Sequence, residues 1–311
     1  MIFRDILDHR KGESAVLTAH PGLPEFDYIK PKTLAEASAF LAEHSKDARI
    51  FVGGTDVFVR MRDGFWKEKY LVDVKGLEGM KSVSFDPRAG LTIGAAVNMN
   101  QIAESAEVKA HYPLLAEAAH SVASFQLRSR ATIAGNICNA SPAGDTIGAG
   151  MVFGGSLSVH GVGGFRREPL DGFFLGPGRT QLQAGDVVTA VHLPLPPKGA
   201  AGKYIKLGRN NIGDLAIIGV TALGWRDGET PSGYRFRIAL ASVAPVPLVP
   251  VAAEKILAEK PITDAVIAEA ANAAMEAATP IDDVRGSARY RKLMVRNLTK
   301  QAVAEVWGRI Q

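Results

Sequence analysis

The sequence predicts an α+β protein of two domains, the second of which is smaller and carries a sheet covered by helices. Residues 33–43 show helical periodicity, whereas residues 49–52 form a short apolar run typical of a strand. A proline- and glycine-rich stretch over residues 194–202 is the clearest break in composition. Such breaks are typical of domain boundaries, so we expect one domain on each side of it.

The first predicted elements form a small αβ unit. Thr33 and Glu36 make a capping-box pair at the start of the helix over residues 33–43, and the apolar residues that follow fall on one face. The strand over residues 49–52 runs into a glycine-bearing loop, residues 52–56. This unit therefore delivers the loop at the end of a strand.

A second glycine-bearing loop, residues 132–145, follows the next elements. These are predicted as strands over residues 70–74 and 91–94 and a helix over residues 112–124. Residues 148–164 are also rich in glycine, but their spacing misses the dinucleotide fingerprint by one place and no acidic ribose partner is evident. We therefore reject a Rossmann domain, and a P-loop is excluded because its glycine-lysine-serine or glycine-lysine-threonine triplet does not occur. Close helix packing followed by a strand over residues 156–160 is the favoured interpretation.

The C-terminal domain is predicted from two paired strands and two covering helices. The strands are predicted over residues 216–223 and 234–243, and the helices over residues 262–278 and 288–307. The last helix has a basic face opposite an apolar one. The basic residues are Arg289, Arg291, Lys292, Arg296 and Lys300. A solvated face is the simpler interpretation, and docking to a partner subunit is the alternative.

Composition and charge argue against nucleic-acid-binding and membrane-spanning proteins. The 311 residues carry a formal net charge of only +4, spread along the chain, so nucleic-acid binding has little support. A hydrophobic content of 47% with 22% charged residues is that of an ordinary globular protein. The N-terminus lacks an apolar signal core, and no apolar run approaches the length of a membrane span. A cytoplasmic location is the resulting expectation.

Metal chemistry within this chain is not expected. The single cysteine, Cys138, cannot provide the four thiolates of an iron–sulfur cluster, so any such cluster must lie on another chain. The seven histidines show no metal-ligand spacing, and no Gly-x-Ser-x-Gly elbow occurs. We expect Cys138 to be a small buried side chain, with a reactive thiol as the alternative.

The two glycine loops indicate binding of a diphosphate. Glycine lets the backbone approach an anion closely, and successive N–H groups in such turns form a concave nest for phosphate oxygens. For residues 52–56 a simple tight turn is the alternative interpretation. The second loop is harder to explain in that way, because it concentrates short polar side chains around two glycines. These are Thr132, Asn136, Asn139, Ser141 and Asp145.

The pair of loops resembles the FAD pyrophosphate-binding loops of the flavoprotein (medium) subunit of molybdenum hydroxylases, the carbon monoxide dehydrogenase and xanthine dehydrogenase family. That family has Gly-Gly-Thr-Asp-Leu, then Thr-Ile-Gly-Gly-Asn followed by Ser-Pro and Asp. This chain departs from the pattern at Ala134, where the family usually has glycine. Further similar segments lie at residues 26–37, 173–188, 206–216 and 286–291, so the resemblance covers about residues 25–308.

The resemblance implies a fold and a division of the chain. We expect a two-part FAD-binding domain of the PCMH (vanillyl-alcohol-oxidase-like) type over residues 25–197 and a C-terminal domain over residues 203–311. Residues 1–24 would be an extension of this chain, either a disordered tail or an arm on a neighbouring subunit.

The resemblance also implies a site for non-covalent FAD. The expected cofactor-binding residues are Ile50, Phe51, Val52, Gly53, Gly54, Thr55, Asp56, Val122, Thr132, Gly135, Asn136, Asp145, Val188 and Lys206. A Lys206 cation near the pyrimidine edge would stabilise a reduced, anionic flavin, whereas a solvent-facing strand lysine is the alternative. Asp56 and Asp145 could equally be turn-forming side chains that bond their own backbone. No catalytic residue and no metal ligand is assigned.

The implied function is electron transfer within a multisubunit oxidoreductase. An iron–sulfur subunit with [2Fe-2S] clusters and a molybdopterin-binding subunit with the molybdenum cofactor would be the partners. FAD on this chain would pass electrons to a terminal acceptor, with NAD as one candidate. Two alternatives stay open: a self-sufficient PCMH-type flavin oxidase or reductase, and a flavin-free scaffold subunit.

Overall fold

The computed structural model describes residues 22–210 and 212–311. The predicted N-terminal extension, residues 1–24, lies outside the described residues apart from its last three. Within the described part of the chain, no helix combines the length and the apolar character needed to cross a bilayer.

The first part of the described chain is a three-stranded parallel sheet with two helices. Its elements are β1 (Asp27–Ile29), α1 (Leu34–Glu43), β2 (Ala48–Phe51), α2 (Val57–Arg62) and β3 (Tyr70–Asp73), and the strand order is β1-β3-β2. The first glycine loop follows β2, as the sequence predicts, and leads into α2, a helix that was not predicted. It therefore lies at the carboxyl end of β2, the edge at which parallel sheets present ligand-binding loops.

Helix α1 begins at the predicted residue, with one difference in its cap. Thr33 Oγ1 accepts a hydrogen bond from the Glu36 amide at 3.1 Å, as an N-cap should. The Glu36 carboxylate, however, accepts from the amide of Lys32 at 2.7 Å instead of from Thr33. In the predicted capping box, the Glu36 side chain would accept from the Thr33 amide. It accepts from the amide one residue earlier, so only the Thr33 half of the box is formed.

The middle of the chain is a five-stranded antiparallel sheet with six helices inserted between its second and third strands in sequence. The elements before and within this insertion are β4 (Val83–Asp86), β5 (Gly90–Gly94), α3 (Met99–Glu104), α4 (Ala106–His111), α5 (Pro113–His120), α6 (Phe125–Arg128), α7 (Ile133–Cys138) and α8 (Ile147–Val152). The elements after it are β6 (Ser156–Gly161), β7 (Gly164–Pro169), β8 (Phe174–Gly176), β9 (Arg179–Thr180) and β10 (Val187–Leu193). The sheet order is β4-β5-β10-β6-β7, with β8 and β9 as a separate hairpin.

The predicted helix over residues 112–124 was too long. Helix α5 ends at His120, and Ala123 has φ = 41°, in the left-handed region that an α-helix cannot continue through. Four residues of α6 follow this turn. The apolar periodicity that predicted the helix continues beyond His120, where α5 ends. The sequence pattern therefore gave no sign of the turn at Ala123.

The C-terminal part forms an antiparallel sheet covered by helices, as predicted. Its elements are β11 (Ala201–Leu207), β12 (Ile218–Arg226), β13 (Tyr234–Ala241), α9 (Val251–Glu259), α10 (Asp264–Ala277) and α11 (Ala288–Ile310), and the strand order is β11-β12-β13. Helix α9 and strand β11 were not predicted. One apolar core occupies the first two sheets and their helices, and a second lies between β12, β13 and the C-terminal helices.

The predicted basic face of the last helix was wrong at Arg291. That side chain is buried, with 2% of its surface exposed. Its guanidinium donates to the carboxylate of Asp283 and to the carbonyl oxygen of Ser242, and Arg285 donates to the same carboxylate. Arg291 therefore fixes the loop before α11 to the sheet instead of facing solvent.

Asp283 provides a test of this arrangement by acid unfolding. Although partial burial opposes it, the hydrogen bonds from Arg285 and Arg291 hold the pKa of Asp283 well below its ordinary value of 3.8. Because the folded state binds this proton more weakly than the unfolded state, the stabilisation is present above about pH 4 and is lost as the pH falls below it.

We expect Asp283→Asn to lower the free energy of unfolding at pH 7 by about 3 kcal/mol, since it leaves a buried cation unpaired. The deficit relative to the unsubstituted chain should shrink as the pH falls below 4. Denaturant unfolding at several pH values measures both effects. The exposed Asp171, which makes no ion pair within the described residues, is the control as Asp171→Asn. An equal loss in both variants would contradict the assignment.

Candidate functional site

The first glycine loop presents unpaired backbone donors. Among the described residues, the amides of Gly53, Gly54, Thr55 and Asp56 donate to no protein acceptor. Gly54 has φ = +76°, and a Cβ placed on it would lie 2.5 Å from the ring of Phe51. Glycine is therefore required at this position for both conformation and space. Asp56 precedes α2 and makes no side-chain cap, so the predicted alternative of a self-bonding turn does not apply to it.

The two glycine loops are in direct contact. A Cβ on Gly53 would lie 2.4 Å from the carbonyl oxygen of Arg130 and 3.3 Å from the Cα of Ala131, immediately before Thr132. Real Cβ atoms do not approach backbone that closely, so only glycine permits this contact. The free amides of the first loop and the start of the second loop consequently lie side by side.

The second loop begins at the N-terminus of α7. Thr132 is the N-cap, and its hydroxyl accepts from the Gly135 amide at 3.1 Å. Gly135 itself is exposed, and a Cβ there would meet the Thr132 hydroxyl at 2.9 Å. Further along, Asn136 Oδ1 accepts from the Thr146 hydroxyl at 2.8 Å, which ties the two ends of the loop together.

Ala134, the departure from the family pattern, is accommodated without strain. It lies in the first turn of α7, has no positive φ, and is only 3% exposed. Its methyl group packs into the main core. The substitution thus leaves the exposed surface of the loop unchanged.

Asp145 joins the second loop to the C-terminal sheet. This carboxylate is 7% exposed and accepts from the Tyr204 hydroxyl at 2.6 Å and from Lys206 Nζ at 2.8 Å. Burial raises the pKa of Asp145, while the Lys206 charge and the two hydrogen bonds act against that rise. Burial and then the Asp145 charge raise the pKa of Tyr204 well above 10, so its hydroxyl stays a donor.

Lys206 is not a solvent-facing lysine. Its side chain is 14% exposed, and its ammonium group donates both to Asp145 and to the carbonyl oxygen of Ser121, at 3.1 Å. Asp145 is likewise not a self-bonding turn residue. The alternative interpretations of these two side chains were therefore wrong, and the charge of Lys206 is balanced by its neighbour.

A cavity of about 610 Å³ opens beside this network, between the helices of the middle part and the start of the C-terminal part. Its lining includes Ser121, Ala123, Phe125, Arg128, Lys206 and Ile212. The turn at Ala123 is held by the amide of Gly213, which donates to its carbonyl oxygen at 3.2 Å. Both parts of the chain thus shape the cavity.

The remaining predicted residues, Ile50, Phe51, Val52, Val122 and Val188, lie on three different parts of the fold. Ile50 and Phe51 end β2, and Val52 leads from it into the first loop. Val122 is buried next to the cavity turn, with its carbonyl oxygen bonded by Arg128. Val188 lies in β10, is 6% exposed and pairs with Val159. Strand β10 packs against α7, so Val188 lies on a strand that supports the helix of the second loop.

Sequence reasoning missed Tyr204 and Arg128. Tyr204 could have been found, because residues two apart on a strand face the same side and Lys206 was already a candidate. Arg128 gave no such signal, since an arginine among polar residues is normally exposed.

Cys138 lies in α7 within this loop and is half-buried, less than the buried side chain that was predicted. Burial raises the pKa of its thiol to about 12, so it is protonated at neutral pH and a poor nucleophile. Within residues 22–210 and 212–311, no group of three or more histidine, cysteine, aspartate or glutamate side chains is placed to hold a metal ion.

The Tyr204–Asp145 bond yields a stability prediction. Tyr204→Phe keeps the ring but removes one donor from a buried carboxylate, which we expect to cost about 1–3 kcal/mol in the free energy of unfolding. Urea unfolding measures the loss. Tyr290→Phe is the matched control, because Tyr290 is 42% exposed. Equal stability of Tyr204→Phe and the unsubstituted chain would show that this bond does not hold the two parts together.

Comparison with known proteins assigns the chain to a family. The model of the FAD binding domain in molybdopterin dehydrogenase matches residues 24–196, and that of the CO dehydrogenase flavoprotein C-terminal domain matches residues 203–306. The carbon monoxide dehydrogenase medium chain of Hydrogenophaga pseudoflava is 32% identical over 92% of this chain and 98% of its own length. The xanthine dehydrogenase FAD-binding subunit of Escherichia coli O157:H7 is 28% identical over 91% of this chain and 98% of its own.

Solved structures agree with this assignment. A chain of carbon monoxide dehydrogenase from Hydrogenophaga pseudoflava superposes with a TM-score of 0.88 at 33% identity, covering 93% of this chain and 99% of that one. A chain of quinoline 2-oxidoreductase from Pseudomonas putida 86 gives 0.85 at 25% identity, with coverage of 93% and 99%. The predicted fold class and the resemblance are thereby confirmed. This chain belongs to the family of FAD-binding subunits of molybdenum hydroxylases, the oxidoreductases of the carbon monoxide dehydrogenase and xanthine dehydrogenase type.

Proposed function

We propose that this chain is the electron-transfer subunit of a multisubunit molybdenum hydroxylase. It takes electrons from iron–sulfur clusters on a partner chain and passes them through FAD to a terminal acceptor. The observation that carries the proposal is the contact between the two glycine loops, which sets four unpaired amides beside the N-terminus of α7, where Gly135 is exposed. The molybdenum cofactor and the [2Fe-2S] clusters belong to partner subunits in this proposal.

The residues of both loops fit a dinucleotide diphosphate. Gly53 and Gly54 allow the first loop to lie against Arg130 and Phe51, where a side chain would collide, and Gly135 is exposed at the start of α7. We assign residues 50–56 with Thr132, Gly135 and Asn136 to the diphosphate, ribose and adenine regions of FAD. Asp145, Lys206, Val122 and Val188 lie toward the remainder of the cofactor in this assignment.

Bound FAD would supply the redox chemistry, because a flavin accepts electrons singly and releases them in pairs. The chain's own groups bind and orient it. Lys206 donates from a position fixed by Asp145 and Ser121, and Tyr204 holds Asp145 in place. The amides of the first loop neutralise phosphate charge without a side chain.

The partners and the acceptor follow from the family and stay proposals. An iron–sulfur subunit and a molybdopterin-binding subunit are the partner chains, and a nicotinamide nucleotide is one candidate for the acceptor. A cytoplasmic location stays a prediction.

Electron transfer between subunits is tested by mixing this chain with its proposed partner chains. The FAD-loaded chain is combined, without oxygen, with partner chains reduced by substrate, and the visible flavin absorbance is followed. We expect bleaching only when the iron–sulfur subunit is present. Oxidation of a substrate by the isolated chain would instead identify a self-sufficient flavoenzyme and contradict the proposal.

The loop assignment is tested by glycine substitution. Gly53→Val with Gly135→Val should lose most of the bound FAD and raise the dissociation constant for added FAD at least tenfold, because a side chain at Gly53 collides with Arg130 backbone. Gly163→Val is the control, since a Cβ on Gly163 meets nothing within 4 Å. Fluorescence titration of the apoprotein with FAD measures the affinity, and full retention in the double variant would overturn the assignment.

A further inference from the structure

Arg128 is a buried cation without a counter-ion in the described part of the chain. Its side chain lines the 610 Å³ cavity, although only 8% of the residue surface is exposed. Nε donates to Asn100 Oδ1 at 3.0 Å, and Nη1 donates to the carbonyl oxygen of Val122 at 3.0 Å. Both acceptors are neutral, and no described carboxylate forms an ion pair with this arginine.

One edge of the guanidinium remains available. Nη2 of Arg128 donates no hydrogen bond to the described residues, and it is not among the polar atoms that are sealed from solvent without a partner. Because Arg128 lines the cavity, this edge is the part of the guanidinium left for a ligand there to contact. The guanidinium is held in place by Asn100, which also donates to the carbonyl oxygen of Phe125 at 3.0 Å.

The other cations of the cavity region are balanced. Lys206 pairs with Asp145 at 2.8 Å, and Arg209, next to the lining residue Gly208, pairs with Asp214 at 3.3 Å. Among the lysine and arginine side chains at the cavity, Arg128 is therefore the one without a carboxylate partner in the described residues. Burying an unpaired cation is costly, and an anionic ligand is one source of the missing counter-charge.

We infer that Arg128 supplies the unbalanced positive charge that faces the ring system of bound FAD and raises its midpoint potential. This inference rests on the proposed function. The glycine loops account for the diphosphate, whereas Lys206, assigned toward the other end of the cofactor, lines the same cavity as Arg128. Reduction adds negative charge to a flavin, and a cation in a water-poor site favours the reduced form by Coulomb attraction.

The charge can be cancelled or removed by separate variants. Asn100→Asp places a carboxylate beside Nε of Arg128. Asn100→Leu instead removes the hydrogen bonds of the Asn100 side chain to Arg128 and to Phe125 and leaves the net charge of the site unchanged. Arg128→Met removes the cation, and Arg128→Lys retains it without the planar guanidinium. Potentiometric titration of the FAD-loaded chain follows each variant, after the FAD content has been measured.

We expect Asn100→Asp and Arg128→Met to lower the midpoint potential by at least about 30 mV, a tenfold change in the equilibrium constant of a two-electron couple. Asn100→Leu and Arg128→Lys should stay close to the unsubstituted chain. If Arg128→Met does not retain FAD, the comparison of Asn100→Asp with Asn100→Leu still tests whether the charge sets the midpoint potential.

Unchanged potentials in Asn100→Asp would overturn the inference, as would an equal fall in Asn100→Leu, which would indicate a purely structural role. An acceptor-binding role of Arg128 would also contradict it, and would show as an unchanged potential with a weaker apparent affinity for the acceptor. Absence of FAD from the unsubstituted chain is a different failure, because it would refute the proposed function itself.

Discussion

The buried carboxylate of Asp145 is the contact on which the arrangement of the site depends. It belongs to the second glycine loop, and both of its hydrogen-bond donors, Tyr204 and Lys206, lie on the first strand of the C-terminal sheet. Lys206 extends the connection to the turn at Ser121. A charge this deeply buried is tolerated only with such partners, so the loop, the strand and the turn hold one another in place. The cavity beside this network is therefore lined by residues from both the middle and the C-terminal parts of the chain.

Glycine governs the other half of the site. The first loop can touch the backbone before Thr132 only because Gly53 has no side chain, and the left-handed Gly54 lies against Phe51. The result is a first loop whose four amides, from Gly53 to Asp56, donate to no acceptor among the described residues, held against the start of the second loop. Polar groups left free in this way are best explained by a ligand that accepts from them, and a diphosphate has the required charge and size.

Much of the fold could be predicted because its signals are local: caps, strand ends and the proline-rich break identified α1, β2, β12, β13 and the last two helices. Gly53, Gly135 and Asp145 could also be chosen as candidates, because glycines and short polar residues concentrated in a loop indicate anion binding without any distant partner. The turn at Ala123 and the burial of Arg128 and Arg291 could not be predicted. Each depends on partners far away in the chain, namely Gly213, Asn100 and Ser242, and no pattern around an arginine shows that a distant residue covers it.

The most direct test of the central claim is a visible absorption spectrum of the purified chain, with chromatography of the cofactor released on denaturation. One equivalent of non-covalently bound FAD is the predicted result. It would show that the chain binds the cofactor that the free amides of the first loop predict. Reproducible absence of FAD, even after incubation with the added cofactor, would contradict the account and leave a flavin-free scaffold subunit as the better description.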